Sequence, residues 1–258
     1  LKSQSSLHVD LVDEYSFAEA HLYNSSQDSF VINDYLHFCY ARSARSFEAV
    51  ALLAKQNFRE DVFVVLRSIY ENYLSFWYVF ENPDTLDAFV KAKILRSSRR
   101  FEHPNSGPSR HLRIIDPNTG VQMLYGRSMS ELARHGSQRI TKKFHDLMFE
   151  YLCEFTHNHF MAFGGYVEPE NYAKITARRT QKDLESLMYA LLFSSLWLES
   201  FPEFEDVDYR DMRRIRHQIK TSRSLLLEVG DKLRAEGKYE ALLREVKLVT
   251  GVLGSKFV

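Results

Sequence analysis

Apolar residues recur at steps of three and four along most of this chain. The series begins with Leu7, Leu11, Tyr15, Ala18 and Leu22, the periodicity of an amphipathic helix over residues 5–24. A second helix is predicted from about Asp28 to Gln56, opening on a Ser/Gln/Asp cluster suited to capping and closing near Asn57. A third runs from Arg59 to Glu81 and stops ahead of Pro83, because a residue before proline is pushed out of helical geometry. The short connection makes these two an antiparallel pair. A fourth starts near Asp84, with Leu86, Phe89, Val90, Ile94 and Leu95 on one side, and ends before His103 and Pro104.

The pattern then changes. Leu112 to Ile115 and Val121 to Tyr125 flank the turn-rich run Asp116-Pro117-Asn118-Thr119-Gly120, which reads as a small β-hairpin projecting from the bundle. Helical periodicity returns over Ser130 to His135 and Gln138 to Phe160, and Gly164-Gly165 ends it. After a loop through Pro169, a strongly apolar helix covers Thr180 to Phe201 and Pro202 closes it. From Val207 to about Leu253 the chain reads as two long helices meeting near Glu236-Gly237.

This is an all-α pattern, a multi-helix bundle with a hairpin insertion at 110–126 and a long C-terminal helical hairpin. The division expected is a bundle core over 1–205 and a C-terminal helical segment over 206–258. Composition agrees: 45% hydrophobic and 14% aromatic residues can build a core, and ten glycines and six prolines in 258 residues are too few for a turn-rich β-protein. Lysine and arginine balance aspartate and glutamate at 34 each, so any nucleic-acid contact must use a local patch. Cys39 and Cys153 form no CxxC pair, which suits a reducing compartment. The longest apolar run, Met188 to Leu198, is too short to span a bilayer. The chain begins at Leu1 with no secretion signal, so a cytoplasmic protein without membrane partners is expected. No Walker loop, dinucleotide fingerprint, nucleophile elbow or zinc spacing occurs, and neither cofactor nor metal is expected.

Two helices carry charge where periodicity expects apolar side chains. Arg42 lies on the face of Val31, Tyr35, Phe38, Ala49 and Leu53, so it interrupts an apolar stripe and needs a partner there. On the third helix, Asp61, Ser68, Asn72 and Ser75 form a narrow solvent stripe. Arg67 and Glu71 fall outside it, as an i,i+4 pair that satisfies itself or lets Glu71 reach Arg42. A structural ion-pair network is the plainer reading, and a charged pocket for a phosphodiester the functional one. Near the end of the Gln138–Phe160 helix, His157, Asn158 and His159 concentrate groups able to bind ligands or move protons.

Arg42-Ser43 with Glu48-Ala49, then Leu66-Arg67-Ser68-x-x-Glu71, then Tyr151 with His157, resemble the pattern of an uncharacterised bacterial all-helical family over about residues 28–200. That family is similar to the higher-eukaryote and prokaryote nucleotide-binding, or HEPN-like, helical proteins. The resemblance implies an RNA-cleaving or RNA-binding protein of a bacterial defence or toxin–antitoxin system. If an enzyme, it would be a metal-independent endoribonuclease with Arg67, Glu71 and His157 as catalytic centre and Arg42, Asn158 and His159 in support. Such cleavage needs a base, an acid and a cation for the phosphorane charge. The wider group's Arg…His spacing is matched by Arg139…His145, Arg210…His217 and Arg96…His103, a multiplicity expected by chance, and Ile140 replaces the polar residue that should follow the first arginine.

Other readings compete. A di-metal carboxylate site would use Glu154-x-x-His157 and the looser Asp34-x-x-His37, and lacks a second clean motif. In the tail, Met212, Ile215, Ile219, Leu226, Val229 and Leu233 form a heptad-like seam for another helix, which would suit a protein partner or a homodimer. Beside it, Arg213, Arg216, Lys220 and Arg223 form a basic stripe, either a solvated face or a place for phosphates. The alternative to an RNA protein is therefore a non-enzymatic partner-binding module whose inner charges are structural.

Overall fold

A computed structural model of the chain describes residues 1–15, 32–86, 88, 92, 95, 96, 99, 101–107, 113–124, 128–136, 140–156, 167–168, 171–175, 184–235 and 244. The helices are α1 (Lys2–Tyr15), α2 (Ile32–Lys55), α3 (Arg59–Glu81), α4 (Met129–Gly136), α5 (Lys142–Thr156), α6 (Leu184–Phe204) and α7 (Tyr209–Ala235). Two small antiparallel pairs join them: β1 (Arg113–Ile115) with β2 (Gln122–Leu124), and β3 (Val167–Glu168) with β4 (Asn171–Ile175). The protein is an all-α bundle with a small β insertion. Residues 16–31, most of the expected fourth helix and the second helix of the expected C-terminal hairpin lie outside the described residues.

Local chemistry sets many of the boundaries. Asn57, with φ +56°, takes the left-handed conformation that ends α2, and Phe58 N–H returns to Leu53 O at 3.0 Å. At the far end of α3, Asn82 Nδ2 donates to Tyr78 O at 2.9 Å, and Pro83 follows. Ser128 and Glu131 form a reciprocal capping box at α4: Glu131 N–H reaches Ser128 Oγ at 3.2 Å, and Ser128 N–H reaches the Glu131 carboxylate at 3.1 Å. Asp208 caps α7 through Asp211 N–H at 2.8 Å. In the hairpin, Ile114 pairs with Met123, and the turn closes with Gly120, φ +69°, donating to Asp116 O at 2.8 Å.

α3 is the hub, packed by α2, α4, α5 and α6. α6 is buried on every side from Met188 to Phe201, as expected of a helix with no polar face. Around Trp197 the rings of Tyr40, Tyr73 and Phe76 meet it edge-on at centroid distances of 5.2–5.6 Å. α7 lays Ile215, Ile219, Leu226, Val229 and Leu233 into the same core, against α6 and α1. The seam read from the tail is thus filled within the chain. Among the described residues, no helix is long and apolar enough to cross a membrane.

Four expectations need correction. The inward face of α2 is Leu36, Cys39, Tyr40, Ser43, Ala44, Phe47 and Val50, with Tyr35 at its edge, so Phe38 and Arg42 point outward. The larger buried area of Tyr40 and Phe47 decides the helix's rotation. Asn72 belongs to no solvent stripe: it is buried, donating Nδ2 to Cys39 O and, at 2.7 Å, to Ser43 Oγ. Pro202 does not end α6, which runs two residues further, because a proline in the last turn forfeits a single backbone bond. The segment read as a loop through Pro169 holds the β3–β4 pair.

Replacing Asn72 by alanine should cost about 1–3 kcal/mol, since it removes both hydrogen bonds that its buried amide donates, to Ser43 Oγ and to the Cys39 carbonyl. Urea unfolding measures it, and a loss below roughly 0.5 kcal/mol would show the pair to be idle.

Candidate functional site

The i,i+4 spacing of Arg67 and Glu71 on α3 does what helix geometry dictates: Arg67 Nε donates to Glu71 Oε1 at 2.8 Å. Across the α3–α5 contact, Arg67 Nη1 donates to Thr156 Oγ1, and the guanidinium stands over the Phe149 ring at 5.3 Å. Arg67 is mostly covered and Glu71 about one-third exposed, so the group opens to solvent at one edge. Cys153 sits beside it; burial pushes its thiol up, against the opposing pull of the Arg67 cation. His157, Asn158 and His159 follow Thr156 directly in sequence and lie outside the described residues.

Arg42 is not part of this group. It is exposed on the outer face of α2, and Glu71 pairs with Arg67 rather than with it. There Arg42 lines an open groove of about 640 Å³ between α2 and α3, with Phe38, Arg45 and Ala49 on one wall and Val64, Val65 and Ser68 on the other.

A second ionic centre is absent from the sequence expectations. Arg59 Nη2 donates to Glu185 Oε2 at 2.8 Å and to Tyr151 OH at 3.3 Å, and Tyr151 OH donates to the other Glu185 oxygen. Glu185 lies in the first turn of α6, where the helix dipole favours an anion. Burial, then the Glu185 charge, pushes the Tyr151 phenol well above its ordinary value, so it stays a donor. This knot ties α3, α5 and α6 together at their junction.

Two histidines are sealed in the core. His8 Nδ1 meets Tyr40 OH at 2.8 Å and Nε2 meets Ser194 Oγ at 2.9 Å, with the ring stacked on Phe47. Burial drives its pKa down to about 3, so the ring is neutral. His145 Nδ1 meets Tyr70 OH at 3.0 Å, and burial lowers its pKa too. Such enclosed rings serve packing. His103 and His217 are exposed, and Arg139 lies outside the described residues. Among the described residues, no three or more His, Cys, Asp or Glu side chains gather into a metal-binding group, and His37 pairs with Glu205.

α7 carries two sets of cations with opposite fates. Arg210 and Arg214 face α1 and are neutralised: Arg214 donates to Asp211 at 2.8 Å and to Asp10, and Arg210 reaches Glu14 at 3.0 Å. Burial works to raise the Asp211 carboxyl, but donors from Arg214 and Tyr15 hold it below the usual carboxylate range. Arg213, Arg216, Lys220 and Arg223 run along the exposed side, the first standing over the Tyr209 ring at 5.8 Å. Among the described residues, Arg213, Lys220 and Arg223 have no carboxylate within ion-pair distance. The four span about 15 Å at roughly 1.5 Å per residue.

Residues 33–175, more than half of the chain, match the family of unknown function DUF5677. No curated protein and no solved structure matches the chain.

Proposed function

We propose, from the premise that this chain belongs to the DUF5677 family of unknown function, that it is an RNA-binding helical module which holds a phosphate backbone along the outer face of α7. The observation that carries the reading is the contrast on that one helix. The arginines facing α1 are matched with carboxylates, whereas Arg213, Lys220 and Arg223 are left to solvent in line with Arg216. Uncompensated cations in a row attract a polyanion and release its counterions. The exposed ring of Tyr209 at the head of the row offers a base a stacking face. The cytoplasm, and a bacterial defence or toxin–antitoxin system, is the setting this reading fits.

RNA cleavage by Arg67, Glu71 and His157 is the second reading. In its favour, Arg67 contacts Thr156, the residue immediately before His157. Against it, the Arg67 guanidinium is already engaged by Glu71 and Thr156, the arrangement of a structural pair.

Fluorescence anisotropy with a labelled single-stranded RNA, between about 50 and 200 mM salt, tests the binding. Changing Arg213, Lys220 and Arg223 together to glutamine should lower the slope of log K against log salt by about 2, at roughly 0.7 per lost phosphate contact. Unchanged affinity and slope would remove α7 from the interface. Incubation of the same protein with tRNA, beside Arg67→Ala and His157→Ala, separates binding from cleavage: cutting that survives both substitutions sinks the proposed centre.

A further inference from the structure

Phe38, Arg42, Arg45, Ala49 and Leu52 follow one another on α2 at steps of four, three, four and three. That is the a/d spacing of a helix–helix seam. Yet this seam faces away from the core: Phe38 is 56% exposed and Leu52 67%. Single exposed apolar residues need no explanation, but a collinear set at seam spacing does. On the facing wall, Val64 is 43% exposed, and Val65 and Ser68 complete the α2–α3 groove.

The middle of the seam is cationic. Among the described residues, neither Arg42 nor Arg45 has a carboxylate within ion-pair distance. Ser46 turns its hydroxyl proton back to Arg42 O at 2.9 Å, so the charged donors at the groove's centre are the two guanidinium groups. From Phe38 to Leu52 the stripe runs about 21 Å at roughly 1.5 Å per residue, four helical turns.

We infer that the α2–α3 groove receives an amphipathic helix of a partner protein, four turns long, with acidic residues at its centre and apolar residues at both ends. Three features select that occupant. The 4-3-4-3 spacing accepts a helix. The two unmatched arginines require carboxylates, and polar residues at seam positions set register and choose partners. The apolar residues closing the stripe at both ends have nothing to offer a phosphate backbone, which separates this face from the all-cationic row on α7.

The probe is a synthetic helical peptide of four turns, with leucine at the outer seam positions and glutamate at the two central ones. Its control carries lysine at those two positions. Anisotropy should show saturable binding of the glutamate peptide at micromolar concentration and binding at least roughly tenfold weaker for the lysine peptide. The exposed double substitution Arg42→Glu with Arg45→Glu, whose fold is checked by thermal melting, should invert that preference, and Phe38→Ser should weaken both peptides. Equal binding of the two peptides overturns the inference. So does no binding of the glutamate peptide up to about 1 mM, a preference that survives the charge reversal, or displacement of the peptide by single-stranded RNA. The α7 glutamine variant should bind the peptide as the wild type does, which keeps this test independent of the RNA reading.

Discussion

Acidification from about pH 7.5 to about pH 2 should remove about 5 kcal/mol of folding free energy through His8 alone, since its pKa falls from 6.5 to about 3 on folding and each unit is worth about 1.4 kcal/mol. The ring is enclosed by Phe47, Tyr40 and Ser194, and among the described residues no carboxylate hydrogen-bonds to it. Below pH 6.5 the unfolded chain takes up a proton there that the folded chain refuses until about pH 3. Stability is therefore whole above pH 6.5, declines as the pH falls through that window, and levels off beneath it. His145, whose pKa is also lowered by burial, adds a loss of the same sign. Urea unfolding at successive pH values, for the wild type and for His8→Gln, isolates the effect from the carboxylates. The variant should lose markedly less between pH 7 and about pH 4.5, and parallel curves for the two proteins would refute it.

Arg59→Met should destabilise the fold by about 3–5 kcal/mol, because it removes the cation that pairs with the Glu185 carboxylate, 6% exposed. Arg59 Nη2 now holds that carboxylate at 2.8 Å, and its guanidinium stands over the Phe63 and Phe155 rings. Changing both members, Arg59→Met with Glu185→Leu, should recover most of the loss, since a buried pair replaced by apolar residues of similar volume is close to neutral. The two single variants and the double form a thermodynamic cycle. A double variant as unstable as the sum of the singles would mean that packing, and not the lost ion pair, carries the cost.

Much of the architecture was legible because it is local. The limits of α3 came from the residue types at its ends, and the hairpin's turn from Asp116 to Gly120; both stand in the structure as read. The Arg67–Glu71 pair was legible too, four residues apart on one helix, and so was the cationic row on α7, which needs nothing but helical periodicity. The rotation of α2 was not. Its two candidate faces both hold large apolar residues, and the choice between them was made by α1, α3 and α6, which cover Tyr40 and Phe47 and leave Phe38 and Arg42 outside.

The Arg59–Glu185 knot joins residues 126 positions apart, and His8 meets Ser194 across 186. No periodicity links such positions, since each is set by how whole helices cross. The chain by itself thus determined an all-helical bundle, the limits of elements such as α3, and which helices carry charge, because hydrogen bonding, capping and side-chain spacing act within a few residues. Tertiary structure alone decided which of those charges are neutralised inside and which stand on the surface. That choice depends on burial, and a side chain's burial is fixed by the elements packed against it, however distant in sequence.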